Sequence, residues 1–470
     1  LGLQKDTSIT KPFATMKITA LNICLIAALG ACVFSYDARH RAKNSERIAL
    51  AEKIQSSMER ELLHVWYPRN VDHEYGGFLS TFTYDWKQAH NQDKMIVSQA
   101  RHIWVNAKAA VLYPDTLHYL KSAAHGVKFL KSKMWDSVHG GFFTLVSREG
   151  KVLDSMKTAY GNSFAIFALS AYYAASKDST ALNLARKSFL WLEKFSHDPI
   201  HKGYFQHLNP DGSRVIRDAS TDSRAETGYK DQNSSIHLLE ALTELYQVCP
   251  DPLVKERLTE MLYLIRDTIT SEKGSLILFF TPDWKPVTFR DSTREVIEKH
   301  KGLDHVSFGH DVETAYLMIE ASHILGIEND TTTLRIAKRM VDHSLNTGWD
   351  KTVGGFYDGG YYFKDEEGIT IIMKGKNWWT QAEGLNALLL MAEKFPDDPM
   401  DYYSKFKTLW DYIDTYVIDH QYGDWYAGGL DKEPFQKKAL KGHIWKASYH
   451  QFRALSNCVA MLRNGETGHR

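Results

Sequence analysis

A seven-residue phrase recurs along this chain: DHEYGGF from Asp72, DSVHGGF from Asp136 and DKTVGGF from Asp350. Weaker echoes are DPIHKGYF from Asp198, DHQYGDW from Asp419 and, more degenerate, GSLILFFTPDW from Gly274. Asp72 to Asp136 and Asp136 to Asp198 are steps of about 64 and 62 residues; Asp350 to Asp419 is about 69. The gap from Asp198 to Asp350, about 152, holds two units with the degenerate copy midway. A period longer than one helix or hairpin marks a repeated supersecondary unit. Six such units account for almost all of the chain beyond its first few dozen residues.

Each unit reads as helix, Gly-Gly turn, short extended piece, helix. In the second unit, His118–Trp135 has apolar residues at helical spacing. Paired glycines and alternating side chains follow, as in a hairpin. Tyr160–Ser176 is then apolar on nearly every side, which predicts a helix buried all round. The more apolar helices begin near Val97, Tyr160, Asn233, His310, Trp378 and Tyr449, and more amphipathic ones alternate with them. Six buried helices inside six half-exposed ones predict an all-α fold, an (α/α)6 barrel, with every inner N-terminus at one end. An open helical solenoid is the alternative that the same pattern permits.

The 470 residues carry no formal net charge, with acids and bases interspersed. That argues against a nucleic-acid surface, which needs a basic excess. Twelve Trp and 24 Tyr suit a large core and also sugar-stacking surfaces. Of four cysteines, Cys24 and Cys32 lie in an N-terminal apolar segment, and Cys249 and Cys458 read as buried thiols. Met16–Tyr36 has Lys17, an apolar run and then Leu29-Gly30-Ala31-Cys32, the layout of a bacterial export signal ending in a lipobox-like phrase. Residues 1–36 are therefore expected to be leader and signal, with residues 37–470 forming a single barrel domain. Lipidation at Cys32 would tether the protein to a membrane of the cell envelope; an uncleaved anchor is the other reading of the run.

Polar and aromatic residues cluster at the start of every inner helix. The first has SQARHIW with Arg101; the second, TAYGNSF with Tyr160; the third, QNSSIHLLEA with Asn233 and His237. The fourth has SFGHDVETA with His310 and Glu313; the fifth, NWWTQAEGL with Trp378, Trp379 and Glu383; the sixth, WKASYHQFR with Trp445, His450 and Arg453. In a barrel these converge on one pocket. A lone histidine at a helix start is more often a cap or a satisfied core residue, but three at equivalent places point to chemistry. His237 shares a face with Ala241 and Leu245 and points inward. Adjacent tryptophans cannot face the same way, and Trp379 shares its face with Glu383. Glu240 and Glu244 read as solvated or structural. Three histidines could hold a metal. They sit on separate helices, however, and the one His-x-x-x-His, His197 to His201, runs through Pro199. The reading is of no metal.

At these residues the chain resembles the N-acylglucosamine 2-epimerase / cellobiose 2-epimerase superfamily, nearest to its cellobiose 2-epimerase branch, which includes mannobiose 2-epimerases. The phrases that carry the resemblance are SQARHIW, AYGNSFAIFAL, NSSIHLLEA, SFGHDVE, NWWTQAE and WKASYHQFRA, between about Ser45 and Leu462. The resemblance implies an (α/α)6 barrel that needs no cofactor. It implies His310 and His450 as an acid/base pair and His237 as a third site histidine. Arg101, Tyr160 and Asn233 would line the reducing-end sugar, and Trp378, Trp379 and Trp445 would form aromatic walls. The family's last motif is usually close to WKCPYHNSR; here Ala447, Ser448 and Gln451 replace Cys, Pro and Asn. An export signal is a second departure, since relatives are commonly cytoplasmic.

Epimerisation beside an aldehyde removes the proton on carbon 2 of an open-chain sugar and returns one to the opposite face. A base with a pKa near the working pH suits that step, and two imidazoles flanking the sugar supply base and acid. His237 and Arg101 can hydrogen-bond the enediolate oxygen. The expected activity is inversion of carbon 2 at the reducing end of a β-1,4-linked disaccharide such as cellobiose or mannobiose. A mannose-type aldose–ketose isomerase is the runner-up. A glycoside hydrolase is more distant, since it needs two carboxylates at a set separation and no phrase isolates such a pair among Glu313, Glu383, Asp311 and Asp222. A non-catalytic sugar-binding protein would leave three histidines idle. The outer sugar would meet loops such as Lys202–Arg217 and Lys285–Lys301.

Overall fold

The computed structural model describes residues 44–464 and Gly2. The apolar run Met16–Tyr36 and Cys32 lie outside the described residues. Twelve long helices and one short one alternate between two layers. The outer layer holds α1 (residues 44–66), α3 (Leu117–Phe129, prolonged to Met134), α5 (Ser179–Phe195), α7 (Pro252–Leu264, prolonged to Ile269), α10 (Thr331–Thr347) and α12 (Tyr402–Tyr416). The inner layer holds α2 (Ile96–Leu112), α4 (Ala159–Ser176), α6 (Gln232–Val248), α9 (Phe308–Ile324), α11 (Trp378–Lys394) and α13 (Tyr449–Asn464). The short α8 (Arg294–His300) lies between α7 and α9. Each inner helix starts within two residues of the position read from the sequence. Along α4 every residue from Ala159 to Tyr172 is buried, whereas α5 buries one face.

Inner helices pack in chain order, and α13 returns to α2. The closure is aromatic. Trp104 of α2 stacks on Phe167 of α4, with centroids 5.1 Å apart, and meets the edge of Tyr449 of α13 at 5.3 Å. Arg101 Nη1 donates to the Trp445 carbonyl at 3.0 Å across the same seam. A solenoid would hold α2 and α13 apart, so the ring is closed and the fold is the (α/α)6 barrel. Cys458 is buried and Cys249 only half-buried, both as free thiols; the expectation of two buried thiols holds for one of them.

The recurrent phrase builds a latch. In five units the Asp N–H donates to the second glycine or its equivalent, as Asp72 N to Gly77 O at 3.0 Å and Asp350 N to Gly355 O at 2.9 Å. Two consecutive left-handed residues make the turn, Gly76 and Gly77 at φ 88° and 67°, a conformation glycine adopts without strain. The Asp carboxylate then receives a lysine buried beside it. Lys94, Lys157, Lys230 and Lys376 each stand two residues before an inner helix and reach Asp72, Asp136, Asp198 and Asp350 at 2.8, 2.7, 2.8 and 3.0 Å. Lys441 reaches Asp419 at 2.6 Å in the sixth unit. Short strands beside the lysines pair antiparallel with neighbouring hairpins, as Lys157–Thr158 does with His207–Leu208. From within the inner helix Gln99 grips Phe78, and Gln381 grips Phe356, through both backbone groups. In these five units the inner helix is thus tied to its own turn.

The two sides of the pair report opposite costs. Burial works to raise the Asp72 carboxyl, but Arg148 and Lys94 outweigh it and hold it at about 2. Burial lowers the Lys94 ammonium even with Asp72 beside it. Desolvation therefore cancels much of the attraction, as for buried pairs in general, and the latch contributes geometry more than net stability. Replacing Lys157 by Met strands Asp136 and should cost about 3–5 kcal/mol, read as a lower denaturation midpoint. Adding Asp136→Leu to that variant should recover most of the loss. A double variant as unstable as the single one would mean that the pair acts chiefly by attraction.

Candidate active site

A cavity of about 210 Å³ opens where the inner helices begin. Its wall is Arg101, Tyr160, Asn233, His237, His310, Glu313, Trp378, Trp379, Trp445 and His450. Of the residues singled out at the helix starts only Glu383 and Arg453 are missing from the wall, and Glu383 lies directly behind, 2.7 Å from His450. All six inner helices or the residues just before them contribute, and latches in five of the units hold their N-termini at one level.

The three histidines share one mode of attachment. His237 Nδ1 lies 2.9 Å from Glu240 Oε2, His450 Nδ1 lies 2.7 Å from Glu383 Oε1, and His310 Nδ1 lies 2.8 Å from Ser307 Oγ. In each, Nε2 has no hydrogen-bond partner among the described residues. Carboxylates only accept, so Nδ1 of His237 and His450 carries the proton and Nε2 presents a lone pair. Burial pushes the His310 imidazolium down to about 4, against the pull of Glu313. Burial, with Arg101 and Arg453, pushes His450 well below the ordinary imidazole range. Both rings are neutral in the empty cavity at neutral pH.

Arg453 is the hub beneath this floor. Its guanidinium is buried and donates to Glu240, Glu313 and the Tyr449 hydroxyl, and it meets Glu383 at 2.7 Å. Burial opposes its charge, but the carboxylates outweigh that and hold it protonated. Burial likewise works to raise Glu240, but Arg453, His237 and Tyr449 hold it at about 2. Glu383 is raised by burial despite Arg453. Glu313, Glu383 and His450 bring ligand atoms within 4.8 Å of one another, a spacing a metal could use. Both carboxylates are already joined by Arg453, which supplies the positive charge that a metal would bring.

Arg101 spans the cavity from the other side. Nη2 donates to the Tyr160 hydroxyl at 3.1 Å, and its plane lies over Phe164 at 4.6 Å. The His310 and His450 rings both abut Trp379, at 4.8 and 5.8 Å between centroids. Trp378 turns toward His443, edge to face at 6.4 Å, so the two tryptophans diverge while both border the cavity. Trp445 is 49% exposed at the mouth, a bare aromatic face beside a polar pocket. Asn233 lines the wall with no side-chain partner among the described residues.

Some of the site escaped the sequence reading. Glu240 is neither solvated nor merely structural: it anchors His237 and Arg453 together. The i,i+3 spacing of His237 and Glu240 was the available signal. Gly309 is a spacer: a Cβ there would sit 2.6 Å from the Trp379 ring and 2.5 Å from Thr380 Oγ1. None of the three departures from the family's last motif lines the cavity. Ser448 Oγ is 2.9 Å from the Tyr67 hydroxyl, Gln451 Nε2 donates to Asp424 Oδ1 at 3.0 Å, and Ala447 is buried. They tie α13 to α1 and to the sixth turn, leaving His450 and Arg453 in place.

Comparison with known proteins agrees with this geometry. The sequence model of the family described as N-acylglucosamine 2-epimerase (GlcNAc 2-epimerase) matches residues 76–454. A cellobiose 2-epimerase of Ruminococcus albus is 29% identical over 420 residues, 88% of this chain and 99% of that protein. A D-mannose isomerase of Marinomonas mediterranea is 25% identical over 402 residues, 85% of this chain and 93% of that protein. The solved cellobiose 2-epimerase of Spirochaeta thermophila superposes with a TM-score of 0.76 at 26% identity, covering 90% of this chain and 98% of that one. With a match across most of the barrel and a convergent histidine pocket at the foot of its inner helices, the chain belongs to the N-acylglucosamine 2-epimerase family.

Proposed function

We propose that this protein inverts carbon 2 of the reducing-end sugar of β-1,4-linked disaccharides, cellobiose or mannobiose. One observation carries the reading: His310 of α9 and His450 of α13 face a single cavity, each tethered through Nδ1 with Nε2 free. The cellobiose 2-epimerase names of full-length relatives support the choice of substrate.

One excess proton, taken up by the two neutral rings as the sugar binds, suffices for the cycle. In ring opening one imidazolium protonates the ring oxygen while the other ring takes the anomeric hydroxyl proton. The first ring, now neutral, abstracts the proton on carbon 2. The second returns its proton to the opposite face. The pair ends with one proton, as it began. Glu313 favours that proton on either ring. Between the two transfers, charge sits on the enediolate oxygens, where Arg101 and His237 are placed to meet it. Trp379 offers a flat wall to the open chain, and Trp445 offers one to the outer sugar. A D-mannose isomerase among the relatives supports a second reading, in which the same enediolate takes its proton back at carbon 1 and yields a ketose.

His310→Ala and His450→Ala should each lower turnover by about 10³-fold or more, with the helical circular dichroism unchanged. Either variant turning over at the wild-type rate would remove that ring from the mechanism. Product analysis separates the readings: a mass-conserved aldose epimer supports the proposal, a ketose moves the enzyme to the isomerase reading, and monosaccharides refute both. The low imidazolium pKa of His310 also sets a pH profile. kcat/KM follows the free enzyme, so protonation of a base held at about 4 places the acid limb well below 6.5. An acid limb at 6.5 or above would exclude a buried, neutral His310 as that base.

A further inference from the structure

The fourth unit lacks the latch. Ser271 stands where five other turns have Asp, and Val306 stands two residues before α9, where α2, α4, α6 and α11 have lysine. Its turn is one residue shorter, Ser271 to Leu276 against Asp72 to Phe78. Both members of the pair are lost together, so no buried charge is stranded. At that place lies a cavity of about 630 Å³ with Ser271 and Val306 both in its wall, against about 210 Å³ for the central pocket. The strand Val306–Ser307 separates the two: Ser307 holds His310, and Val306 faces the outer cavity.

We propose that this outer cavity is a second saccharide-binding site, distinct from the central pocket. Its volume falls in the range of ligand sites, and its lining has the expected form, an apolar floor with a few fixed polar groups. Leu276, Val287 and Val306 give the floor, suited to the C–H face of a pyranose. The Tyr362 ring is fixed in place by its hydroxyl, 2.8 Å from His343 Nε2. Asp304 Oδ2 takes the Phe289 N–H and the Tyr361 hydroxyl at 2.6 and 2.9 Å, which leaves Oδ1 as a rigid acceptor. His305 Nδ1 donates to the Lys301 carbonyl at 2.7 Å, so its Nε2 is a second acceptor with no partner among the described residues. The Arg290 side chain is a donor with no hydrogen-bond partner among the described residues. The two lining cations, Lys273 and Arg290, are outnumbered by three carboxylates, Glu272, Asp291 and Asp304, which favours a neutral polyol over a phosphate or an anionic sugar. The assignment stands whether or not the central pocket performs epimerisation.

The test is titration calorimetry of the wild-type protein with cellotetraose and, separately, β-1,4-mannotetraose. Two binding events are expected with at least one of these sugars. Ser271→Asp with Val306→Lys, which restores the pair and fills the space, should leave one. Tyr362→Ala, a milder change at the wall, should weaken the second event about tenfold if the refilled variant does not fold. A single event in the wild type with both sugars, or a second event untouched by Tyr362→Ala, would show the cavity to be only space left by the lost pair.

Discussion

The buried Asp–Lys latch is the constraint on which the rest of this structure depends. A ring of inner helices can slide along its own axes, because apolar packing is non-directional. A charge-assisted contact between the foot of a helix and a Gly-Gly turn removes that freedom, since an ion pair in a low-dielectric core tolerates little displacement. With Lys94, Lys157, Lys230, Lys376 and Lys441 each seated on its own aspartate, five of the six units bring their inner helices to a common height. Residues just inside those starts then fall into one shell, and that shell is the pocket.

Beneath the pocket the same physics acts at shorter range. Glu240, Glu313 and Glu383 surround one buried guanidinium. Glu240 and Glu383 also hold His237 and His450, and Glu313 stands 3.9 Å from His450. Two of the carboxylates thus satisfy Arg453 and orient an imidazole at once. Removing any member would leave a buried charge without its partner, a larger loss than the pair gained on forming. The result is a rigid floor with three imidazole Nε2 atoms presented upward, suited to moving protons on a neutral sugar that offers few charges of its own to hold.

Much of this was legible in the residues, for definite reasons. The roughly 64-residue period and the Tyr160–Ser176 segment, apolar on nearly every side, announced inner and outer helices, because burial all round leaves no polar face. His237, His310 and His450 stood out through equivalent placement, and the ring brought all three together. What stayed hidden depended on contacts distant in sequence. The recurrent lysine two residues before an inner helix looks like an ordinary surface residue until its aspartate, some 21 to 32 positions away, is seen beside it. Glu240 read as solvated or structural because its partner Arg453 lies 213 residues on. The paired loss of aspartate and lysine in the fourth unit has meaning only once the other five are superposed in space. Trp378 and Trp379 were expected to diverge, and they do, yet both border the cavity.

The central claim is that carbon 2 of the reducing-end sugar exchanges its proton with the histidine pair. Incubation with cellobiose or β-1,4-mannobiose in heavy water, read by proton NMR, measures that event at the atom concerned. The account predicts an inverted disaccharide in which carbon 2 carries solvent deuterium, and no exchange at other carbons. Epimer that retains its original hydrogen at carbon 2 throughout, or unchanged disaccharide, would contradict it.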